Sequence, residues 1–255
     1  MKKFVALIAA LVLALSCTAA LADDTVIVAT NPEYPPFEYV EGDATVGYDI
    51  DLFDAIAKKA GFEYEIEPMA FDAVVSAVAT NPNTVGLSGI SITDERKLSV
   101  NFSEGYINAG LVVIVKADSG YASSADLAGK VVAVQLGTSG ESLLNGDLAD
   151  LAASFENVIT CDSFLKCFTE LDGGAVDAVF VDLPVATSYA AENEGFVIIN
   201  ENLGAEQYGI AFRSGDAELC AAIEGAVAEL VADGTYAKIA ENYPDIINNL
   251  IFLGQ

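Results

Sequence analysis

Residues 62–96 read FEYEIEPMAFDAVVSAVATNPNTVGLSGISITDER, and this run decides the fold. Apolar and charged residues alternate at 62–67, which predicts a strand, and the apolar stripe at 71–79 predicts a helix. Residues 85–87 then form a short run typical of a buried strand. A β-branched strand pattern precedes the run, followed by a helix pattern with Asp49 or Asp51 as its N-cap and Gly61 at its end. The order β-α-β-α-β predicts a mainly parallel sheet with helices on both faces.

A second series with the same order of elements follows. Its predicted strands are residues 130–135, 155–160, 176–181 and 196–199. Helix patterns follow at 137–140 and 164–171, and Pro184 suits the first turn of another helix. We therefore expect two lobes of one α/β architecture. Extended segments near 110–116 and 208–213 would join them, and two such crossings form a hinge.

The opening run ends in residues suited to binding a carboxylate. Ser88 and Ser91 supply hydroxyl groups, Gly89 exposes the main chain, and Arg96 follows within the same loop. A guanidinium binds a carboxylate through two parallel hydrogen bonds. Arg96 is one of only two arginines in the chain. The alternative is a surface arginine paired with a neighbouring acid.

Asp182 follows the apolar run 176–181, at the end of a predicted strand. Parallel α/β sheets bind ligands at the carboxyl ends of their strands. If Arg96 and Asp182 come together, they would bind the two charged ends of a free α-amino acid. Aspartate is also a preferred N-cap, so the alternative is that Asp182 caps the next helix.

The N-terminus has the pattern of a cleavable signal peptide. Two lysines precede an apolar core that ends in Ala20-Leu21-Ala22, with small residues where a signal peptidase cuts. We expect residues 1–22 to be removed and the protein to be exported to the periplasm. In the alternative, cleavage before Cys17 would attach a lipid anchor to that residue.

The composition excludes several classes of function. The 255 residues include 38 acidic and 11 basic ones, with a net charge of −27. Nucleic acid and anionic membrane surfaces would be repelled. The chain has no histidine, which excludes a Ser-His-Asp hydrolase and a histidine-bearing zinc site. Because the acidic residues are scattered, we predict neither a metal site nor a cofactor.

Three cysteines follow the signal peptide: Cys161, Cys167 and Cys220. Cys161 would end a strand, and Cys167 would lie one turn into a helix capped near Ser163. In an oxidising compartment these two could pair and leave Cys220 free. The alternative is three buried thiols that pack as small apolar residues.

Short motifs in fixed order resemble the periplasmic amino-acid-binding proteins of ABC importers, the polar-amino-acid branch of solute-binding protein family 3. The motifs are YPPFE (34–38), GYDIDL (47–52), SITDER (91–96), DLAGK (126–130), DAV (177–179) and Asp182, YGIAF (208–212) and DGTY (233–236). The resemblance implies the two-lobed type II periplasmic-binding-protein fold with two hinge crossings. Lobe 1 would comprise residues 23–112 plus 205–255, and lobe 2 residues 113–204.

The resemblance also implies roles at the charged end of a ligand. Arg96 corresponds to the arginine that binds the ligand carboxylate, with help from Ser91. Backbone groups near Ser88 and Gly89 would contribute to the same site. Asp182 corresponds to the acceptor of the α-ammonium group.

Other positions match the rest of the family's binding site. Thr138 and Ser139 lie where lobe 2 offers donors from a helix N-terminus. Tyr34 and Phe71 match the aromatic walls around the ligand side chain. Phe71 could equally be a core residue.

The far end of the expected site decides the ligand. Asn31 and Gln135 match the positions that contact it, and both are neutral groups that donate and accept hydrogen bonds. This favours a neutral polar side chain, and several stretches look most like glutamine-binding members. That subgroup carries an acid and a lysine at these two places, so glutamate, cystine or a broad range also remain open.

We therefore expect a solute-binding component of an ABC importer that closes its hinge over a free polar amino acid, glutamine-like in character. Its partner would be an ABC permease in the inner membrane, and the protein would be a monomer without catalytic residues. An alternative is an enzyme resembling cyclohexadienyl dehydratases, in which Glu38, Glu141 or a lysine donates the proton. A further alternative is an amino-acid sensor domain.

Overall fold

The computed structural model describes residues 25–253. The expected signal peptide and the alternative lipid site at Cys17 lie outside these residues. Within them, thirteen strands form two five-stranded sheets and one three-stranded sheet. No helix in the described range combines the length and apolar character needed to cross a bilayer.

Strands and helices alternate along most of the described chain. The strands are β1 (Val26–Thr30), β2 (Glu33–Tyr34), β3 (Glu38–Glu41), β4 (Ala44–Val46), β5 (Tyr64–Pro68), β6 (Thr84–Gly86), β7 (Asn101–Phe102), β8 (Ile107–Lys116), β9 (Val131–Gln135), β10 (Asn157–Cys161), β11 (Ala178–Asp182), β12 (Phe196–Tyr208) and β13 (Ala211–Phe212). The α-helices are α1 (Tyr48–Ala60), α2 (Phe71–Thr80), α3 (Ser139–Asn145), α4 (Ala149–Ala152), α5 (Phe164–Gly173), α6 (Leu183–Glu192), α7 (Ala217–Ala232) and α8 (Thr235–Ala240). Short 3-10 turns are Arg96–Leu98, Ser124–Leu127 and Ile247–Asn249.

The two large sheets share one design. The first has the order β5-β1-β6-β13-β7, and the second has the order β10-β9-β11-β8-β12. In each sheet the first three strands are parallel, and only the fourth runs against its neighbours. We call the part built on the first sheet lobe 1 and the part built on the second sheet lobe 2. The predicted two-lobed, mainly parallel α/β architecture is confirmed.

The chain passes between the sheets twice. It leaves the first sheet after β7, enters the second as β8, leaves it as β12 and returns as β13. The start of β8 and the end of β12 pair antiparallel, from Ile107 opposite Tyr208 to Leu111 opposite Gly204. The sequence pattern suggested a first connection near 110–116. Most of that run instead pairs with β11 inside the second sheet, because its apolar side chains are buried there.

The start of α1 differs from a common capping pattern. The sequence predicted Asp49 or Asp51 as the N-cap, but the helix begins at Tyr48 and neither carboxylate caps it. Asp49 is fully buried and accepts a hydrogen bond from the Tyr106 hydroxyl at 2.8 Å, so a tertiary contact takes its place. The helix ends as predicted, at Gly61 with a left-handed φ of 79°.

Side-chain caps position the helices of lobe 2. Thr138 caps α3 and Ser163 caps α5, and each accepts a hydrogen bond from a main-chain N–H three residues later. Pro184 lies in the first turn of α6, as predicted. Asp182 precedes that helix but makes no side-chain cap bond. Its carboxylate is therefore available for other contacts.

The small sheet, in the order β2-β3-β4, was not predicted. It consists of two short antiparallel pairings next to the first sheet's helix α1. Its strands are two to four residues long, too short to show an alternating pattern.

The long helix α7 packs back onto lobe 1, as its apolar face predicted. It contacts α1, and its residues Leu219, Ile223 and Leu230 are buried. The second crossing strand is thus followed by elements that belong to the first sheet's core.

The cysteines lie where the sequence predicted. Cys161 ends β10, Cys167 lies one turn into α5, and both are buried. All three cysteines within residues 25–253 are free thiols. Burial raises the pKa of the half-buried Cys220 thiol to about 11.

Candidate functional site

A cavity between the lobes collects all eleven residues expected to bind a ligand. Its lining residues are Asn31, Tyr34, Phe71, Ser88, Gly89, Ser91, Arg96, Gln135, Thr138, Ser139, Phe164 and Asp182. They enclose a small space, with a cavity volume of about 10 Å³. Phe164 alone among these residues was not expected from the sequence.

Strand ends bring the polar residues together. Asn31 directly follows β1, and Ser88 lies two residues beyond β6. From lobe 2, Gln135 is the last residue of β9 and Asp182 the last of β11. The carboxyl ends of parallel strands in both lobes therefore face one cavity, which is where α/β folds bind ligands.

Arg96 provides the positive charge of this cavity. Its Nη1 donates to the carbonyl oxygen of Ser91 at 2.8 Å, and its Nη2 donates to that of Gly137, in lobe 2, at 3.1 Å. The Phe71 ring centroid lies 5.5 Å from the guanidinium carbon. Phe71 lines the cavity and also packs in the core of lobe 1.

The charge of Arg96 is not neutralised by an ion pair. Burial lowers its pKa, while the charges of Glu206 and Asp182 oppose that shift. The ion pairs formed by residues 25–253 do not include Arg96, so pairing with Asp94 or Glu95 is not observed. A bound anion would meet an available guanidinium.

Asp182 provides the negative charge. Its Oδ2 accepts hydrogen bonds from the hydroxyl groups of Tyr208 at 2.6 Å and Tyr34 at 2.9 Å. Burial and the nearby charge of Glu206 raise the pKa of Asp182 to about 6, and the tyrosine hydrogen bonds work against that shift. The carboxylate faces the cavity rather than capping α6, so the capping alternative is not observed.

Aromatic rings close one side of the cavity. Tyr34 stacks on Phe164, with ring centroids 5.3 Å apart. Phe164 is the first residue of α5, directly after the N-cap Ser163 at the end of β10. The first residue of a helix that follows a parallel strand lies at the sheet edge where α/β folds bind ligands. Phe164 could have been identified from the sequence on this ground.

Two of the lining residues are neutral amides. Gln135 Nε2 donates to Asn31 Oδ1 at 3.2 Å and to the carbonyl oxygen of Asp162 at 3.2 Å. Asn31 Nδ2 donates to the carbonyl oxygen of Met69 at 3.1 Å. Both amides are buried and partnered. Residues 25–253 contain no group of three or more side chains arranged to hold a metal ion.

Hydroxyl groups connect the lobes beside Arg96. Ser139 Oγ donates to Glu206 Oε2 at 2.7 Å and lies 3.2 Å from Ser91 Oγ. The Thr138 hydroxyl donates to the carbonyl oxygen of Gln135 and accepts from the Glu141 N–H in the cap of α3. Direct hydrogen bonds across the cleft show that the lobes are closed. The bonded pairs are Arg96–Gly137, Ser91–Ser139, Asn31–Gln135 and Tyr34–Asp182.

Two buried carboxyl groups support the Ser88–Gly89 loop. Ser88 Oγ donates to Glu38 Oε1 at 2.9 Å, and the Gly89 N–H donates to Asp49 Oδ2 at 3.4 Å. Burial and then the charge of Asp49 raise the pKa of Glu38 well above its usual value. Burial raises that of Asp49 to about 6. These acids lie behind the loop and do not line the cavity.

Glycine is required at position 89. Its φ of 53° lies in the left-handed region, and a Cβ there would come within 2.6 Å of Tyr34 Cε1. The loop main chain therefore touches the ring whose hydroxyl holds Asp182.

Comparison with known proteins identifies the family. The model of the bacterial extracellular solute-binding proteins, family 3, matches residues 26–245. The chain belongs to this family, which confirms the resemblance seen in the sequence motifs.

Individual relatives match over most of their length. The arginine-binding extracellular protein ArtP of Bacillus subtilis (strain 168) is 34% identical over 220 residues, 85% of each chain. An ancestral arginine-binding protein, solved with glutamine and with arginine bound, has a TM-score of 0.78 and is 40% and 41% identical, covering 86% of this chain and 97% of that one. The arginine-, lysine-, histidine-binding protein ArtJ from Geobacillus stearothermophilus also has a TM-score of 0.78, with 32% identity over 86% of this chain and 95% of ArtJ.

Proposed function

We propose that this protein is the extracytoplasmic solute-binding component of an ABC importer and that it binds a free polar amino acid. The observation that carries the proposal is one pair of opposite charges, Arg96 and Asp182, on the lining of a single cavity. Because both charges line one cavity, the carboxylate and ammonium groups of a single zwitterion would each have a partner of opposite charge. An unpaired charge buried in the closed cleft costs several kcal/mol, so a solute that lacks either group is rejected.

Binding proceeds by hinge closure. Lobe 1 receives the carboxylate at Arg96. Lobe 2 then closes and brings Asp182 to the ammonium group. The contact of Arg96 with the Gly137 carbonyl oxygen supports hinge closure, because it joins the carboxylate-binding residue of lobe 1 to lobe 2. The closed, monomeric protein would dock on a permease in the inner membrane, from the periplasmic side.

A glutamine-like side chain is the favoured ligand group. The far end of the cavity offers the neutral amides of Asn31 and Gln135, which match the donors and acceptors of a side-chain amide. The glutamine-bound ancestral relative supports the same class. Arginine is the second candidate, because amide oxygens also accept from a guanidinium and the same ancestor was solved with arginine.

The dehydratase alternative has less support. Of its candidate proton donors, Glu38 is fully buried and bonded to Ser88. Glu141 Oε2 accepts from the Gly137 N–H at 2.7 Å outside the cavity. Neither acid lines the cavity, and no lysine is among its lining residues.

Isothermal titration with paired ligands tests the proposal. L-Glutamine and L-arginine are compared with N-acetyl-L-glutamine, which lacks the ammonium group, and L-glutaminamide, which lacks the α-carboxylate but keeps the side chain. We expect saturable binding of a free amino acid and loss of binding for both blocked compounds. Equal binding of the blocked compounds, or turnover of prephenate in a parallel assay, would contradict the proposal.

A further inference from the structure

Cys161 and Cys167 are a pair of buried sulfur nucleophiles that ligand binding does not use. They lie six residues apart, at the end of β10 and one turn into α5. Both side chains are buried in the same hydrophobic cluster. The short strand-to-helix turn between them therefore directs both side chains into one part of the core.

This turn also carries part of the cavity wall. Phe164 lies between the two cysteines and stacks on Tyr34 of lobe 1. The carbonyl oxygen of Cys161 accepts a hydrogen bond from the Leu136 N–H at 2.9 Å, next to Gln135. A change in the position of Cys161 or Cys167 would thus move both Phe164 and the strand end that carries Gln135.

We propose that the exported protein carries a disulfide bond between Cys161 and Cys167, and that this bond holds Phe164 against the ligand. The proposal rests on export, one part of the proposed function, because disulfides persist in oxidising compartments. It does not depend on which amino acid binds.

The bond forms during folding, before the core of lobe 2 packs around the thiols. In the folded protein the exposed fractions of Cys161 and Cys167 are 2% and 0%, so an oxidant cannot reach them. During folding, one thiolate attacks the disulfide of an oxidised thiol–disulfide exchange protein, and the second thiolate resolves the mixed disulfide. Two S–H bonds break and one S–S bond forms. The exchange protein takes up two electrons and two protons as its own pair of thiols.

Cys220 provides a matched internal control. It lies on α7, in the part of the chain that packs on lobe 1, and is half-buried. It has no role in the turn that carries Phe164. A specific bond should therefore leave Cys220 as a free thiol.

The first experiment measures the bond directly. The full chain is exported by a bacterial host through its own signal peptide, and free thiols are alkylated in denaturant at lysis. We expect Cys220 to be alkylated and a proteolytic fragment to contain Cys161 cross-linked to Cys167. After reduction all three cysteines should be labelled. Alkylation of Cys161 and Cys167 without reduction, or a bond from either one to Cys220, would overturn the proposal.

The second experiment tests the positioning of Phe164. Oxidised wild-type protein is compared with wild-type protein kept reduced and with the Cys220→Ser variant. Loss of this short cross-link should lower the thermal midpoint by about 5 °C. It should also weaken amino-acid binding several-fold, whereas Cys220→Ser should change neither quantity. Reduction without any effect on affinity would refute the positioning role.

The two proposals fail in different ways. If the wild-type protein binds no amino acid, the proposed function is wrong, but the alkylation pattern still decides whether the bond exists. If the Cys161→Ser, Cys167→Ser double variant does not fold, reduction of the wild-type protein gives the same comparison.

Discussion

The two ends of the cavity are built in different ways. At one end, a guanidinium and a carboxylate, Arg96 and Asp182, come from different lobes, and charge dominates. At the other end, the amides of Asn31 and Gln135 bond to each other and to main-chain carbonyl groups. The charged end recognises the α-carboxylate and α-ammonium groups, which all free amino acids share. The amide end contacts the ligand side chain, which distinguishes one amino acid from another.

This difference separates affinity from selectivity. Groups at the charged end must stay paired once the cleft closes, so their loss is costly for every ligand. Groups at the amide end can exchange partners with a ligand of matching polarity, so changes there should alter the order of preference. The following variants test this division.

Loss of the cation should have the largest effect. We expect Arg96→Ala to weaken binding of the preferred amino acid by about 100-fold or more, because it leaves the ligand carboxylate buried without a partner. Isothermal titration measures the change. The matched control is Arg213→Ala, which removes the other arginine, paired with Asp216 outside the cavity. Similar losses of affinity in Arg96→Ala and Arg213→Ala would show that the effect does not come from the charged end of the cavity.

Protonation of Asp182 should weaken binding at low pH. The pKa of Asp182 is about 6 in the ligand-free protein, and the ammonium group of the ligand binds the ionised form. Affinity should therefore be constant above pH 6 and fall up to about tenfold per pH unit below it. Asp182→Asn should bind about 10- to 100-fold more weakly and lose this pH dependence. A pH dependence that persists in the variant would assign it to another group, such as Asp49.

A charge placed at the amide end should change selectivity. Asn31→Asp introduces a carboxylate that suits a cationic side chain, and Gln135 Nε2 can still donate to it. We expect arginine to gain about tenfold relative to glutamine, measured by competition titration. Asn145→Asp adds the same charge at an exposed site and should leave the ratio unchanged. An equal loss for both ligands would mean that the amide end does not select.

The smallest effect should come from Glu206. Its charge raises the pKa of Asp182, so Glu206→Gln should move the midpoint of the pH dependence below 6. The expected shift is less than about one pH unit, since Glu206 is only partly buried. Glu95→Gln removes the same charge near Arg96 and should leave the midpoint in place. A midpoint that rises in Glu206→Gln would contradict the assignment.

Much of the fold and the cavity could be predicted because strand ends determine both. Periodicity located the parallel strands, and the residues that follow them, such as Ser88 and Asp182, then share one edge by topology. The roles of Tyr34 and Gln135 came from family resemblance and not from any pattern in composition.

Other features had no local signal. The strands β2 to β4 are too short for periodicity, and the position of β8 in the second sheet depends on tertiary pairing. Asp49 looked like a helix cap but is held by Tyr106, a residue far along the chain. Tyr208 and Glu206 reach Asp182 and Ser139 from the second crossing strand, which only the folded arrangement brings close.

The contact between Gly89 and the Tyr34 ring limits how such a protein can diversify. Even one methyl group at position 89 would push on the ring and so disturb the acceptor of the ammonium group in the other lobe. Position 89 is therefore closed to any residue with a side chain. New solute preferences have to arise at Asn31 and Gln135, where a substitution changes which ligand side chain is preferred. Binding of the α-carboxylate and α-ammonium groups is not disturbed there.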